Sequence, residues 1–216
     1  MLCFLLGGES ASAGELAQAA AVSAATASGH LARLLDAGLV ACDARGRHRY
    51  YRLADAEVAH ALEALALVAE RGTHARSWAG AGRARLRFAR CCYGHLAGRL
   101  GVGLLQQGLE RGWLVPRGDR GFALADAGVP LLDTLGLDGA TWQRRTAGAA
   151  RAAAYACLDW SERRDHLAGP LAVALLTGFV DHGWLRRASG ERALAVTPQG
   201  RGPIAAWTGI DAAASP

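Results

Sequence analysis

Lysine is absent from this chain: all 24 basic residues among its 216 are arginine. A bias of that kind reflects a GC-rich coding sequence more than a function. Acidic residues nearly balance the arginines, leaving a formal charge of only +5. A nucleic-acid partner is therefore favoured by local clustering of charge and not by its total. No run approaches the length and apolarity of a membrane span. No signal peptide heads the sequence, and its five cysteines are odd in number and irregularly spaced. Together these predict a reducing, cytoplasmic setting with no membrane partner. There is also no Ser-His-Asp set, no Gly-rich phosphate loop and no metal-hydrolase motif, so the common enzyme classes find no support. What the chain has in plenty is Ala and Leu. With 51% hydrophobic residues it can bury a large core, one large or two modest domains, built mainly from helices.

The most informative stretch runs from Ser12 to Leu53. Ser12-Ala13-Gly14-Glu15 is a capping box, a hydroxyl followed three residues later by a carboxylate, and predicts a short helix to Ala20. Ala21-Val22-Ser23 makes a turn, and Ser23 can cap a second helix to about Ala37. Leu31, Leu34 and Leu35 form its apolar stripe. The opposite face carries Ala24, Ala25, Thr26, Ser28, Gly29 and Arg33, groups slim enough for close approach to another surface. Gly38 ends the helix. Leu39–Asp43 and Arg47–Leu53 then read as strands around Ala44-Arg45-Gly46. A helix-turn-helix followed by an arginine-laden hairpin suits double-stranded DNA. Ser23, Ala24, Ala25, Thr26, Ser28, Gly29 and Arg33 are expected in the major groove, and Arg45, Arg47, His48, Arg49 and Arg52 on phosphates. The competing reading is a helical hairpin on another globular domain with a solvated basic turn.

The pattern Val22-Ser23-x-x-Thr26-x-Ser28-x-His30-Leu31-x-x-Leu34-x-x-Ala37-Gly38-Leu39-Val40, with Gly46-Arg47-x-Arg49-Tyr50-Tyr51-x-Leu53, resembles the ArsR-type winged-helix repressors over roughly residues 1–70. The resemblance implies a homodimer that leaves its operator when a metal, thiol-reactive or other small inducer binds. It also implies a full helix ahead of Met1–Gly8, so the first helix of the family is expected to be missing. The helix after the wing, Ala54 to about Arg71, would form the dimer contact, with Val58, Ala61, Leu62, Leu65 and Val68 along one face. The metal sites of relatives are not reproduced. Asp55 is in place, but its partner positions hold Glu57, Val68 and Arg71, and His60 lies off the pattern. Ser10–Ala13 contains no Cys-x-Cys.

Gly72–Gly82 reads as a linker. Beyond it His95-Leu96-Ala97-Gly98 recurs as His166-Leu167-Ala168-Gly169, and Gly112-Trp113-Leu114 as Gly183-Trp184-Leu185, both at an offset of 71 residues. Each unit is expected to run helix, helix, hairpin, helix, again like a winged helix. The predicted organisation is a DNA-binding and dimerisation domain over 1–71, a linker over 72–82, and an effector domain over 83–216 with repeats at about 83–138 and 149–210. Ala149–Leu158 is expected to be helical and Asp211–Pro216 a frayed tail.

Cys92, His95, Cys157 and His166 are the candidate metal ligands, since paired thiolates and imidazoles suit Zn²⁺ or another soft ion. Placed on helices, Cys92 and His95 would share a face, whereas Cys157 and His166, nine apart, would need a break that Ser161 could supply. The rigid offset sets Cys157 opposite Leu86, so the two cysteines do not match as repeat equivalents. The alternative is that the cysteines are small buried hydrophobes and the histidines caps. Cys91-Cys92, as a vicinal pair, could also bridge a trivalent arsenical or be oxidised. ArsR-type proteins with a longer C-terminal half are similar around Arg90-x-Cys92-Tyr93-x-His95 and Cys157–Gly169. There an acidic residue usually replaces Gly94 and only Cys92 of the pair recurs. Asp159, Glu162, Arg163, Arg164 and Asp165 form a charge-dense turn that reads as a solvated helix start in preference to a catalytic carboxylate pair. Trp113 and Trp184 read as core pins or, beside a cleft, as a stack for an aromatic ligand.

The fold class expected is mainly α with short β-hairpins (α+β). The function expected is a DNA-binding repressor, not an enzyme, released by an inducer. The alternatives are a thiol- or metal-dependent enzyme fused to a DNA-binding unit, or an architectural DNA-binding protein.

Overall fold

The computed structural model describes residues 1–46, 48–69, 81–148, 153–187 and 191–212. The fold is the expected mixture of helices and short hairpins. Leu2–Leu5 (α1) is followed by a two-residue strand Ala11–Ser12 (β1), then Ala13–Ala19 (α2) and Ala24–Asp36 (α3). The capping box is formed in full: Ser12 Oγ accepts from Glu15 N at 3.3 Å and Glu15 Oε2 accepts from Ser12 N at 2.7 Å. Ser23 Oγ caps α3 by accepting from Thr26 N at 3.1 Å. Gly38, at φ +67°, ends α3 in the left-handed region where glycine carries no steric penalty.

Val40–Arg45 (β2) and His48–Leu53 (β3) make the wing, and β1 joins β3 to give the order β1-β3-β2. The hairpin is tighter than expected. Ala44 and Arg45 remain in strand β2, and Arg45 pairs with His48 across the tip. Arg47 and the segment 70–80 lie outside the described residues, which takes in most of the expected linker. Ala81 and Gly82, counted in that linker, begin a helix instead. Leu5, Leu6, Leu16, Leu31, Val40, Tyr51, Leu53 and Ala59 form the core of this part.

Asp55, at one of the relatives' metal positions, caps Ala56–Ala69 (α4) by accepting from Val58 N at 2.9 Å. The apolar face expected for α4 divides. Val58 and Leu62 pack on the winged-helix core, while Leu65 and Val68 are 64% and 60% exposed. The face buried against the rest of the chain carries Ala59 and Glu63.

The remaining elements repeat. Ala81–Phe88 (α5), Arg90–Cys92 (β4), His95–Ala97 (β5), Arg99–Glu110 (α6), Leu114–Arg117 (β6), Gly121–Leu124 (β7) and Val129–Asp133 (α7) form one unit. Gly139–Ala147 (α8), Tyr155–Leu158 (β8), Asp165–Ala168 (β9), Pro170–Asp181 (α9), Leu185–Arg187 (β10), Leu194–Val196 (β11) and Arg201–Thr208 (α10) form the other. The order is helix, hairpin, helix, hairpin, helix, with one more hairpin per unit than expected. Tyr155–Leu158 is a strand and not a helix, and residues 149–152 fall outside the described set. Of the expected tail Asp211–Pro216, Ala212 is buried, and residues 213–216 lie outside the described residues.

The two units exchange contacts reciprocally. β7 of the first adds to β8-β9 of the second, giving the sheet β6-β7-β8-β9. In return Cys91 N donates to Arg192 O and Leu194 N to Ala89 O, docking the last hairpin of the second unit on the first hairpin of the first. α6 packs on β9 and α9 on β5. Buried residues from both units, among them Leu96, Leu100, Trp113, Leu167, Leu171, Phe179 and Trp207, make one continuous core. Trp113 meets Trp207 edge-on and Trp184 stacks on Phe179, so both repeated tryptophans serve packing.

Candidate functional site

Two places carry chemistry. The first is the surface of α3 and the wing. Ser23, Ala24, Ala25, Thr26, Ser28, Gly29 and Arg33 are all exposed, and a Cβ built on Gly29 would meet nothing within 4 Å. Ala32, not singled out in the sequence, sits in the middle of the same face; a 100° step per residue would have found it. Arg45, His48 and Arg49 are exposed at the wing tip, where Ala44 pairs with Arg49. Arg52 is different. Its guanidinium donates to Asp43 Oδ2 at 3.2 Å and to the carbonyls of Leu53 and Ala54, so it braces the hairpin.

The second place lies where the two repeats meet. Cys92 and His95 are neither on a helix nor three residues along one face. They stand directly across the β4-β5 hairpin, and Cys157 and His166 stand directly across β8-β9. The cysteines are therefore structural equivalents, against the expectation from the rigid offset. Nine positions separate Cys157 from His166 and three separate Cys92 from His95, so the second hairpin holds six more residues between the two, one further strand pair and a longer loop. That insertion, between the cysteine and the histidine, is why the offset misaligned them. Tyr93 and Gly94, at φ +47° and +92°, make the tight first turn. Both positive angles suit a two-residue hairpin, which asks for glycine at the second position.

The four side chains converge. One ligand atom from each of Cys92, His95, Cys157 and His166 lies within 4.8 Å of every other, and none of the four residues is more than 3% exposed. His95 Nε2 and His166 Nε2 are 3.0 Å apart. Cys91 does not take part. Strand alternation turns its sulfur to the other face, where it donates to Gly7 O at 3.1 Å, so the vicinal thiols cannot grip one atom together.

Electrostatics sort the four into donors and acceptors. Hydrogen bonding from Cys92, followed by the imidazoles of His166, His60 and His95, holds Cys157 far below the ordinary thiol range. The Cys92 thiol is correspondingly pushed well above its ordinary value by that contact and by burial. Burial lowers His95 to about 4, leaving it neutral. Burial opposes charge on His166 too, but Asp159 and Cys157 outweigh it and raise the value to about 9. An imidazolium at His166 can thus donate from Nε2 to the neutral His95. Its Nδ1 lies 3.3 Å from Asp159 Oδ2, at an angle that falls short of a hydrogen bond.

Asp159 is not part of a solvated turn. It is fully buried and accepts from Gly98 N at 2.7 Å, Arg90 Nη2 at 3.0 Å and Ser161 Oγ at 2.7 Å. Ser161 caps no helix; it braces this loop. Arg90, also fully buried, bridges Asp159 to Glu63 on α4 with both contacts at 3.0 Å, and Arg192 donates to the other Glu63 oxygen. A continuous polar line, Glu63–Arg90–Asp159–His166, therefore joins the helix after the wing to the thiol–imidazole cluster. His60, set aside in the sequence, packs edge-on against Tyr155, and its hydrogen bond with Cys157 raises its pKa. Arg90 and Asp159 stood in the motifs flanking the cysteines, but no sequence signal tied Glu63 or His60 to them.

Residues 1–43 match the family profile described as a helix-turn-helix domain. Over 201 residues, 93% of this chain and 87% of the relative, the sequence is 37% identical to a Bacillus subtilis (strain 168) protein named Uncharacterized HTH-type transcriptional regulator YdfF. The chain belongs to the HTH-type transcriptional regulators. The match with that relative runs through the repeated part as well as the winged helix, so this regulator shares both with it. No solved structure matches the regulator. Among its described residues no helix is long and apolar enough to cross a membrane.

Proposed function

We propose that this transcriptional regulator is a repressor of the ArsR type that binds operator DNA as a homodimer and loosens when an inducer acts on the repeated C-terminal part. The observation that carries the reading is α3, whose exposed face of Ala24, Ala25, Ser28 and Gly29 is narrow enough to enter a major groove. Thr26, Ser28 and Arg33 supply base-edge contacts there, and Arg45 and Arg49, with Arg47 between them in sequence, neutralise phosphates. Ala61, Leu65 and Val68 form an exposed stripe at helical spacing on α4, a face suited to the same helix of a second copy. A twofold dimer places two α3 helices on successive major grooves of a palindromic site.

Induction is favoured over an architectural role because α4 is joined by buried ionic contacts to a second reactive cluster. A catalytic role for that cluster is disfavoured by its closure, since none of its four residues offers a face to a substrate. Five free cysteines suit the reducing cytoplasm in which such a repressor works. The test is binding of the full chain to duplexes from its own upstream region and to scrambled duplexes. Specific binding should be roughly 10³-fold or more tighter than nonspecific binding at fixed salt. Equal affinity for both would overturn the reading.

A further inference from the structure

We propose that Cys92, His95, Cys157 and His166 form a closed tetrahedral site for one divalent ion of the zinc class, set between the two repeats. The inference deepens the inducible-repressor reading by naming the effector's chemistry, but the site itself stands without that reading.

Four observations carry it. Two equivalent cross-strand Cys-His pairs, one from each repeat, point at one another, and their ligand atoms all lie within 4.8 Å. A tetrahedral ion with bonds of about 2.3 Å to sulfur and about 2.0–2.1 Å to nitrogen needs ligand atoms roughly 3.3–3.8 Å apart. The set therefore closes on an ion with side-chain adjustments and no movement of strands. Two sulfurs and two imidazoles select zinc and its neighbours over calcium or magnesium, which want oxygen. Burial of all four groups leaves no coordination position for water, as in closed sites and unlike catalytic ones. Finally, Asp159 stands behind His166, with its carboxylate 3.3 Å from a buried ring nitrogen that has no hydrogen-bond partner. A carboxylate behind a ligating histidine is the arrangement that fixes ring orientation and strengthens the bond to the ion.

Binding also balances. The ion displaces whatever protons its thiol and imidazole ligands hold, these leave to solvent, and no electron moves. Asp159 is then a positioning residue, and through Arg90 it ties the ion's surroundings to Glu63 on α4. His60, held by Cys157, brings a second residue of α4 to the same place.

The full-length protein is titrated with Co²⁺ under a non-thiol reductant. The expected spectrum has the near-ultraviolet charge-transfer band of Co²⁺–thiolate bonds and the intense visible bands of tetrahedral cobalt. It saturates at about one ion per chain and disappears on adding Zn²⁺. Cys92→Ser and Cys157→Ser, nearly isosteric, each weaken or remove the thiolate band while leaving far-ultraviolet circular dichroism unchanged. Asp159→Asn keeps the band but lowers affinity roughly 10- to 100-fold. Absence of the thiolate band from the wild-type protein overturns the proposal without recourse to any variant. So does a weak octahedral spectrum, or a band that survives intact in Cys157→Ser. Operator affinity is then measured with and without one equivalent of Zn²⁺. A change of roughly 5- to 150-fold makes the ion the effector. No change, with the cobalt spectrum intact, leaves the ion as a structural brace between the repeats and refutes only its role as inducer.

Discussion

Replacing Glu63 tests the junction between α4 and the repeated part. Glu63 is 2% exposed, with Oε2 accepting from Arg90 Nη2 at 3.0 Å and Oε1 accepting from Arg192. In Glu63→Ala, Arg90 stays buried with Asp159 as its remaining carboxylate partner, and Arg192 loses its own. Two unit charges about 4 Å apart interact by about 4 kcal/mol at an effective dielectric constant near 20. The hydration that the lost carboxylate no longer gives up offsets part of this, but Arg90 has no route to water. Buried pairs broken on one side cost about 3–5 kcal/mol, the range expected here. With a urea slope of about 3 kcal/mol/M, the unfolding midpoint falls by about 1–1.7 M. Tryptophan fluorescence follows it directly, because the Trp160 ring lies 4.7 Å from the Arg90 guanidinium carbon. Glu63→Gln, which keeps an acceptor oxygen without the charge, should fall between. Glu57→Ala on an exposed turn of the same helix should stay within about 0.5 kcal/mol of the wild type. A Glu63→Ala protein as stable as that control would refute the reasoning.

Alanine at Arg45 and Arg49 should weaken binding to all duplexes alike and lower the salt slope by up to about two phosphate contacts, read by anisotropy across a salt series. Thr26→Ala or Arg33→Ala should cost about 1–3 kcal/mol on the operator and much less on random DNA; an equal loss on both would make these residues positional. Zinc affinity should rise with pH, because at neutral pH His166 holds a proton up to about 9 and Cys92 holds one above the ordinary thiol range. Binding near neutrality should release about two protons, which the buffer dependence of the calorimetric heat measures. Gly101→Ala should cost about 1–3 kcal/mol in a urea titration, since a Cβ there would lie 2.3 Å from Leu96 O on the strand it crosses.

The helix-turn-helix and wing were legible because each depends on local chemistry: a capping box, a cap at Ser23, a glycine at Gly38, and strands flanking one turn. α1 and β1 were not, being too short to show a period. Cys92, His95, Cys157 and His166, grouped in the sequence, do converge, but on hairpins and not on helices. Cysteine and histidine three apart fit a helix as well as a hairpin, and only Tyr93-Gly94, as a turn pair, could have decided between them. Glu63 shows the limit of periodicity. A carboxylate inside an apolar helix reads as surface until the arginine that neutralises it, 27 residues further on, is known to be buried with it.

The six-residue insertion has a meaning beyond geometry. Two identical Cys-x-x-His hairpins related by a true twofold axis would give two indistinguishable histidines, as in a dimer of one ancestral unit. Once both copies lie on one chain, each can change alone. Here the second hairpin alone carries the longer loop with Asp159, and the two imidazoles differ, burial lowering His95 to about 4 while Asp159 and Cys157 raise His166 to about 9. The pair of histidines is thus directional, with a base on one side and its acid on the other. Among the described residues Asp159 reaches α4 through Arg90 and Glu63, so the acid side and the first hairpin share one line to that helix.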